Sequence, residues 1–463
     1  MEKEDAKVVE METFLPQGNG YSTQSPSKYK IQPMDARLED YDPFKERATL
    51  PKGTTDCETL THLSKAALGS GILAMGVAFR HSGLALGCAF MILVGLVCTH
   101  CAYLLVACAH ELYKRKRVSH MTFSEVSVEG FKSGPQWCRM FAEPSRIAIQ
   151  VLVFITYFGT CSVYTVIVAR NIKYVADFYW TEELDIRFYI LFLLPFLILL
   201  SYIPDYKRLA PVSMLANICV FVGLCITLYY IIGDLKPVSE RKMVAEYTNW
   251  PSFFSISIFA IETIGVVMPL ENNMKTPKHF LGLCGVLNRG MSGLTLLYMI
   301  FGFLGYLAYG DETEGSITLN LDKASIPAQI VQVLIGISLF CTFGLQFFVA
   351  LEIVWDIIKN TKRCSKRPRL YNYTLRTVLV ILAVGLAAAV PAISPFIGLI
   401  GAFCFSLLGL VLPSIIESVI FSERFGFTDW RTYKNGLIIA FGLFALIFGS
   451  KASLEEIVAI YTN

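Results

Sequence analysis

After a polar opening stretch that ends near residue 56, the chain settles into one pattern: apolar runs of about 20 residues, separated by short connections that carry most of the charge. Such a run, wound as a helix, crosses the roughly 30 Å of hydrocarbon in a bilayer. About eleven fall near 61–82, 84–108, 146–174, 187–204, 209–233, 253–271, 280–309, 327–358, 372–392, 395–421 and 435–450. The pattern predicts an all-α polytopic membrane protein. Two of the runs are unlike the rest. The first, THLSKAALGSGILAMGVAFRHSG from Thr61 to Gly83, holds His62, Lys65 and Arg80 and is interrupted at Gly69-Ser70-Gly71. The sixth, SISIFAIETIGVVMPLENNM from Ser255 to Met274, holds Glu262, Gly265 and Pro269. Ionisable groups and helix breakers within a span are costly and mark function, and a matched pair of them five helices apart predicts inverted repeats with a binding site between.

Composition agrees with a membrane protein and excludes a soluble one: 54% of residues are hydrophobic, only 17% are charged, and the mean hydropathy is +0.53. A net charge of +3 gives no argument for a nucleic-acid partner. The Lys and Arg residues instead order the loops, because basic loops stay on the cytosolic side. Lys114 to Arg117, Lys207 and Arg208, Lys275 and Lys278, the cluster from Lys359 to Arg369, and Arg424, Arg431 and Lys434 alternate with acidic or neutral connections such as 311–322. This places the amino terminus in the cytosol and, after an odd number of spans, the carboxyl terminus outside. The sequon at Asn372 then faces the cytosol, where it is not glycosylated. The 13 cysteines lie mostly in spans, where they act as small packing residues.

The expected organisation is a disordered cytosolic tail over 1–56, a first repeat over 57–233, a second over 234–421, and a last helix with a short extracytosolic end over 422–463. Within the tail, Tyr41-Asp42-Pro43-Phe44 matches a tyrosine-plus-hydrophobe sorting pattern and makes the tail a candidate dock for cytosolic sorting or signalling proteins.

The interrupted spans suggest what they hold. Unwinding at Gly69, Ser70, Gly71 and Ile72 frees backbone N–H groups suited to a carboxylate, and unwinding from Phe259 through Ala260, Ile261, Glu262 and Thr263 frees carbonyls suited to an ammonium. A zwitterion fits both. The small residues of the first break and the ring of Phe259 favour a compact side chain.

The segments HLSKAALGSGILAM and AFRHSG, FAIETIGVVMPLENNM with KTPKHF after it, and VLNRGM resemble the proton-coupled amino acid transporters of the amino acid/auxin permease family. The likeness runs from about residue 57 to 450. It implies a leucine-transporter-like fold with a five-plus-five inverted repeat and discontinuous helices 1 and 6, and symport of small neutral amino acids such as glycine, alanine and proline with a proton. It also implies that His62 is tied to proton movement, with His100 in support. Ser70 stands for the usual threonine of the family break, Thr263 stands where glycine is common, and Gly76 stands where a proline usually follows ILAM; these departures bear on pocket shape.

Proton coupling needs a group that titrates near working pH, either a histidine or a buried carboxylate, which points to His62 and Glu262. Seven residues separate His62 from Gly69, as they separate Glu262 from Pro269, two helical turns on one face. Lys65 is a candidate substitute for the bound cation of sodium-driven relatives or the partner of a carboxylate, Arg80 is expected to snorkel outward, and Glu352 and Asp356 are expected to be neutralised by Lys359. No cofactor is expected beyond the proton itself, and no nucleophile triad, nucleotide loop or metal cluster suggests an enzyme. Two readings stay open: a proton-coupled symporter, or a sensor of transporter fold that signals to cytosolic partners. The membrane is that of the cell surface or of lysosomes and endosomes.

Overall fold

The computed structural model describes residues 42–48, 53–180, 184–203, 206–261, 263–359, 367–422 and 429–462. A one-turn helix α1 (Lys45–Ala48) precedes α2 (Asp56–Ala67), α3 (Met75–Ser82), α4 (Leu84–Lys116), α5 (Phe123–Ser133), α6 (Ala142–Tyr179), α7 (Ile186–Ser201) and α8 (Tyr206–Gly233). The second half comprises α9 (Trp250–Ile261), α10 (Ile264–Asn272), α11 (Val286–Tyr309), α12 (Ile326–Ile358), α13 (Pro368–Ala389), α14 (Ile393–Ile400), α15 (Leu412–Ile420), α16 (Trp430–Phe444) and α17 (Ser450–Thr462). Backbone groups bond within the helices, as hydrocarbon demands.

Nine helical segments of the described residues are long and apolar enough to span a membrane, and the bent pair α2 and α3 makes a tenth. The apolar α7, in the place of the expected fourth span, has 16 residues and so about 24 Å of length, less than the hydrocarbon thickness. The outermost surface of the bundle is apolar, with Leu96, Leu199, Phe221 and Leu437 all well exposed, as lipid-facing side chains are.

Four local departures from the expected elements have physical causes. Between α4 and α6 lies α5, an amphipathic helix capped by a reciprocal Thr122–Glu125 box and packed against α6 and α15. Truncating the cap with Thr122→Ala is expected to lower stability by about 1 kcal/mol, read as a small fall in melting temperature. The seventh span begins at Val286, because Pro277 to His279 form a separate 3-10 turn. The last span continues as helix to Thr462 rather than ending near 450, with a π-helical stretch over Ala445–Gly449. A second π stretch, Gly401–Val411, joins α14 to α15. Both wide turns sit where α9 presses in: a Cβ on Gly401 would lie 2.0 Å from the Ser255 carbonyl oxygen, and one on Gly449 would lie 2.1 Å from its hydroxyl.

The fourth departure concerns the amino-terminal stretch expected to be disordered through residue 56. Its described part, 42–48 and 53–55, belongs to the folded body: Phe44 and Arg47 are buried, and Thr54 exchanges backbone hydrogen bonds with Asn273 and Lys275 at 2.8 and 3.0 Å. Polar composition predicted disorder, but tertiary partners outweigh it.

Candidate functional site

Both interrupted spans are broken. Helix α2 stops at Ala67, Leu68 leaves the helical region (φ −70, ψ 81), Gly69 is extended (φ −123, ψ −151), and Ser70–Ala74 form a 3-10 turn before α3. The two helical pieces are bent by 50°. Helix α9 stops at Ile261, and Thr263 (φ −120, ψ 8) precedes a new start at Ile264. Glu262, between them, lies outside the described residues.

The two breaks touch. A Cβ added to Gly71 would lie 2.5 Å from the Cα of Ala260, so only glycine allows the 3-10 turn to rest on the last turn of α9. Ser70, Ile72, Phe259, Ala260, Ile261 and Thr263 are all buried there, and Gly69 is half-buried. Helix α6 reaches both breaks from one face: the Tyr164 hydroxyl lies 3.4 Å from where Gly69 would carry a Cβ, and the Tyr157 hydroxyl 3.0 Å from the same point on Gly265. The Tyr298 hydroxyl donates to the Ala67 carbonyl at 2.5 Å and ties off the end of α2. The hydroxyl of Ser70, 2% exposed, faces the Tyr164 hydroxyl as its nearest polar neighbour. A buried hydroxyl beside a helix start, with few polar neighbours, is a place where a small charged ligand gains hydrogen bonds.

The two candidate histidines lie apart. His62 and Lys65 sit half-buried on α2, and His62 is within electrostatic reach of Lys65 and of Glu58. Because α2 ends before Gly69, and α10 starts after Glu262, the shared-face spacing inferred for His62 with Gly69 and for Glu262 with Pro269 does not apply. His100, on α4, stacks on Tyr103 and lies toward the Glu417–Lys434 ion pair (3.0 Å) joining α15 to α16, not beside His62. Asp356 pairs with Lys359 at 2.6 Å, as expected.

On the face of the basic loops the structure shows a cluster that sequence reasoning missed. Glu271, fully buried at the end of α10, accepts from Arg47 at 2.7 Å and from Tyr113 at 3.1 Å, and its other contact is His110 Nε2 at 2.8 Å. Arg47 also donates to the carbonyls of Ser119 and Glu271. Phe44 packs edge-on against His110, so the hydrophobe of the sorting pattern is covered; Tyr41 lies outside the described residues. Asp42 is hydrogen-bonded by Lys278 and by the Phe44 N–H, which hold its carboxyl below the usual aspartate range, so this link persists through physiological pH and loosens only in strong acid. The acid Glu271 at the end of the sixth apolar run was the available signal; its partner Arg47, 224 residues away, could not be inferred.

On the opposite face Arg80 donates to the Thr313 carbonyl at 2.7 Å and to that of Asp311 at 3.2 Å, fastening a loop instead of snorkelling. Gly76 gives that loop room: Ile317 and Thr313 side chains approach to 3.0 Å of where a Cβ would be.

A bundle of membrane-crossing helices whose first and sixth spans unwind against each other defines a membrane transporter. Residues 52–455 match the family model described as transmembrane amino acid transporter protein, and the chain belongs to that family. It is 53% identical over 461 residues to the proton-coupled amino acid transporter-like protein pathetic of Drosophila melanogaster, covering 98% of this chain and 96% of that one. It is 26% identical over 428 residues to the amino acid transporter AVT3C of Arabidopsis thaliana, covering 89% and 93%. Among solved structures it resembles Mhp1, a nucleobase-cation-symport-1 family transporter, at 13% identity and a TM-score of 0.45 over 88% of this chain and 94% of that one, a likeness too loose to argue from.

Proposed function

We propose that this chain is a proton-coupled symporter of small neutral amino acids of the glycine, alanine and proline type, working by alternating access. The observation that carries the reading is the contact of Gly71 with Ala260, which sets the start of one helix and the end of another side by side in a buried place. The α-carboxylate is received by N–H groups at Ser70 to Ile72, and the ammonium by carbonyls ending α9 with Glu262. The small residues of the first break and the Phe259 ring favour a compact side chain. Glu262 and His62 are the groups we assign to proton movement, with His100 in a supporting place, and Lys65 serves where relatives hold a cation. The relative with 53% identity is named as proton-coupled, which supports the coupling ion. Eleven spans, ten of them in two inverted repeats, with a cytosolic amino terminus and an extracytosolic carboxyl terminus in the plasma membrane or a lysosomal or endosomal membrane, complete the reading.

Sodium-free uptake of radiolabelled alanine tests it. Uptake should be several-fold faster with the outer face at about pH 5.5 than at about pH 7.5. Uptake that needs sodium and ignores the proton gradient would refute it.

The sensor reading draws on the docked segment 42–48, which ties the tail to α4 and α10 and gives cytosolic partners a conformation to read. Glu262→Gln separates the two: growth signalling that survives complete loss of uptake favours the sensor.

A further inference from the structure

Farther along α6 than Tyr164, a cavity of about 640 Å³ opens between α6, α7 and α12. Its walls include Val168 and Ile172 of α6, Leu193 and Phe196 of α7, and Ile337 and Phe340 of α12, and none of its lining residues is charged. Phe196 and Ile337 are exposed on the flank of the bundle, so the mouth faces lipid. Ligand cavities of this size hold one small molecule.

The apolar wall is broken by two amides. Asn171 is 2% exposed, and neither its side-chain nitrogen nor its oxygen has a hydrogen-bond partner among the described residues. Gln332, fully buried, donates to the Thr318 carbonyl at 2.5 Å but leaves its own oxygen unpaired. Such orphans are costly in a place without water, so a molecule that bonds to them is held by more than apolar contact. A hydroxyl both donates and accepts, so it can accept from the Asn171 N–H and donate to the Gln332 oxygen.

Depth fixes the orientation of that molecule. Helix α6 has 38 residues and is about 57 Å long, so its ends project from the bilayer, and Asn171 lies about 12 Å before Tyr179. Tyr179 and Trp180, both exposed, mark the interface at the rim, and the Tyr179 hydroxyl donates to Gln329 one turn from Gln332. A hydroxyl at Asn171 therefore enters first and sits about 12 Å inside the interface, and the apolar body fills the rest of the cavity against Val175, Ile337 and Phe340. With no cation present, a phosphate headgroup has no partner here, and neither has a zwitterionic amino acid.

We propose that this cavity binds a neutral lipid of sterol type, with one hydroxyl hydrogen-bonded by Asn171 and Gln332. The site is separate from the substrate site and does not depend on the transport reading.

The test is photolabelling of the purified full chain, in phosphatidylcholine nanodiscs, with a diazirine-bearing sterol. Labelled peptides should map to 168–180 and 332–340, and excess cholesterol should suppress the labelling about tenfold. Gly336→Phe, which fills the space beside Asn171, should abolish it, and Asn171→Leu should weaken it several-fold while the apo protein melts no lower. Val333→Trp at the exposed rim blocks the cavity by a second route should Gly336→Phe misfold. Labelling elsewhere, labelling that survives both blocking variants, or competition by the sterol methyl ether as effective as that by cholesterol would overturn the proposal.

Discussion

Gly71→Val is expected to abolish amino acid uptake while the protein still inserts and reaches its membrane. The added Cβ would fall 2.5 Å from the Cα and 2.8 Å from the Cβ of Ala260, and both belong to main-chain segments that a side-chain rotation cannot clear. Overpacking at such a place costs about 1–3 kcal/mol and moves backbone. Here the displaced backbone is the ligand cradle itself, so uptake should fall at least about tenfold, more than stability alone would take. Gly69→Ala supplies the control: its Cβ would make only ordinary contacts, with the Tyr164 hydroxyl at 3.4 Å and the Ala67 carbonyl oxygen at 3.9 Å, and should leave much of the uptake intact. Equal losses in the two variants would argue that the glycines serve general packing.

The second large effect is expected at Glu271. Arg47 is 2% exposed and Glu271 fully buried, so removing one charge leaves the other without its partner in a dry place, at a cost of about 3–5 kcal/mol. Glu271→Gln and Arg47→Met should each lower the melting temperature strongly, and Arg47→Met should also raise hydrogen exchange in 42–48. The double variant Arg47→Met with Glu271→Met should lose much less than the two single losses together, because no charge is stranded. Additive losses would show that the pair is not the coupling between tail and helix ends. Retained transport with a loosened tail would mean that the segment anchors a partner surface without closing the inner side.

The fold was largely legible because the bilayer imposes one rule on every span. Run length located the long helices, and two runs that combined charge with Gly or Pro located both breaks. Short elements escaped that rule. Helix α5 carries no long apolar run and was betrayed only by the Thr122–Glu125 box, and α7 is apolar but short. The meeting of the two breaks was legible in outline, since Gly71 does rest on Ala260. What the pattern could not show is distance between elements: Tyr157 and Tyr164 read as ordinary span aromatics until α6 is seen to reach both breaks. The face argument for His62 failed for the opposite reason, since helical periodicity holds only while the helix does. Arg47 lay in a segment whose composition says tail, and only its partners on α4 and α10 reveal otherwise.

The most direct measurement is a cryo-EM structure of the protein with alanine bound. The carboxylate is predicted at the N–H groups of Ser70 to Ile72 and the ammonium at the end of α9, with the helices interrupted at 68–69 and between 261 and 264. Alanine held elsewhere, or a continuous helix through either segment, would contradict the account.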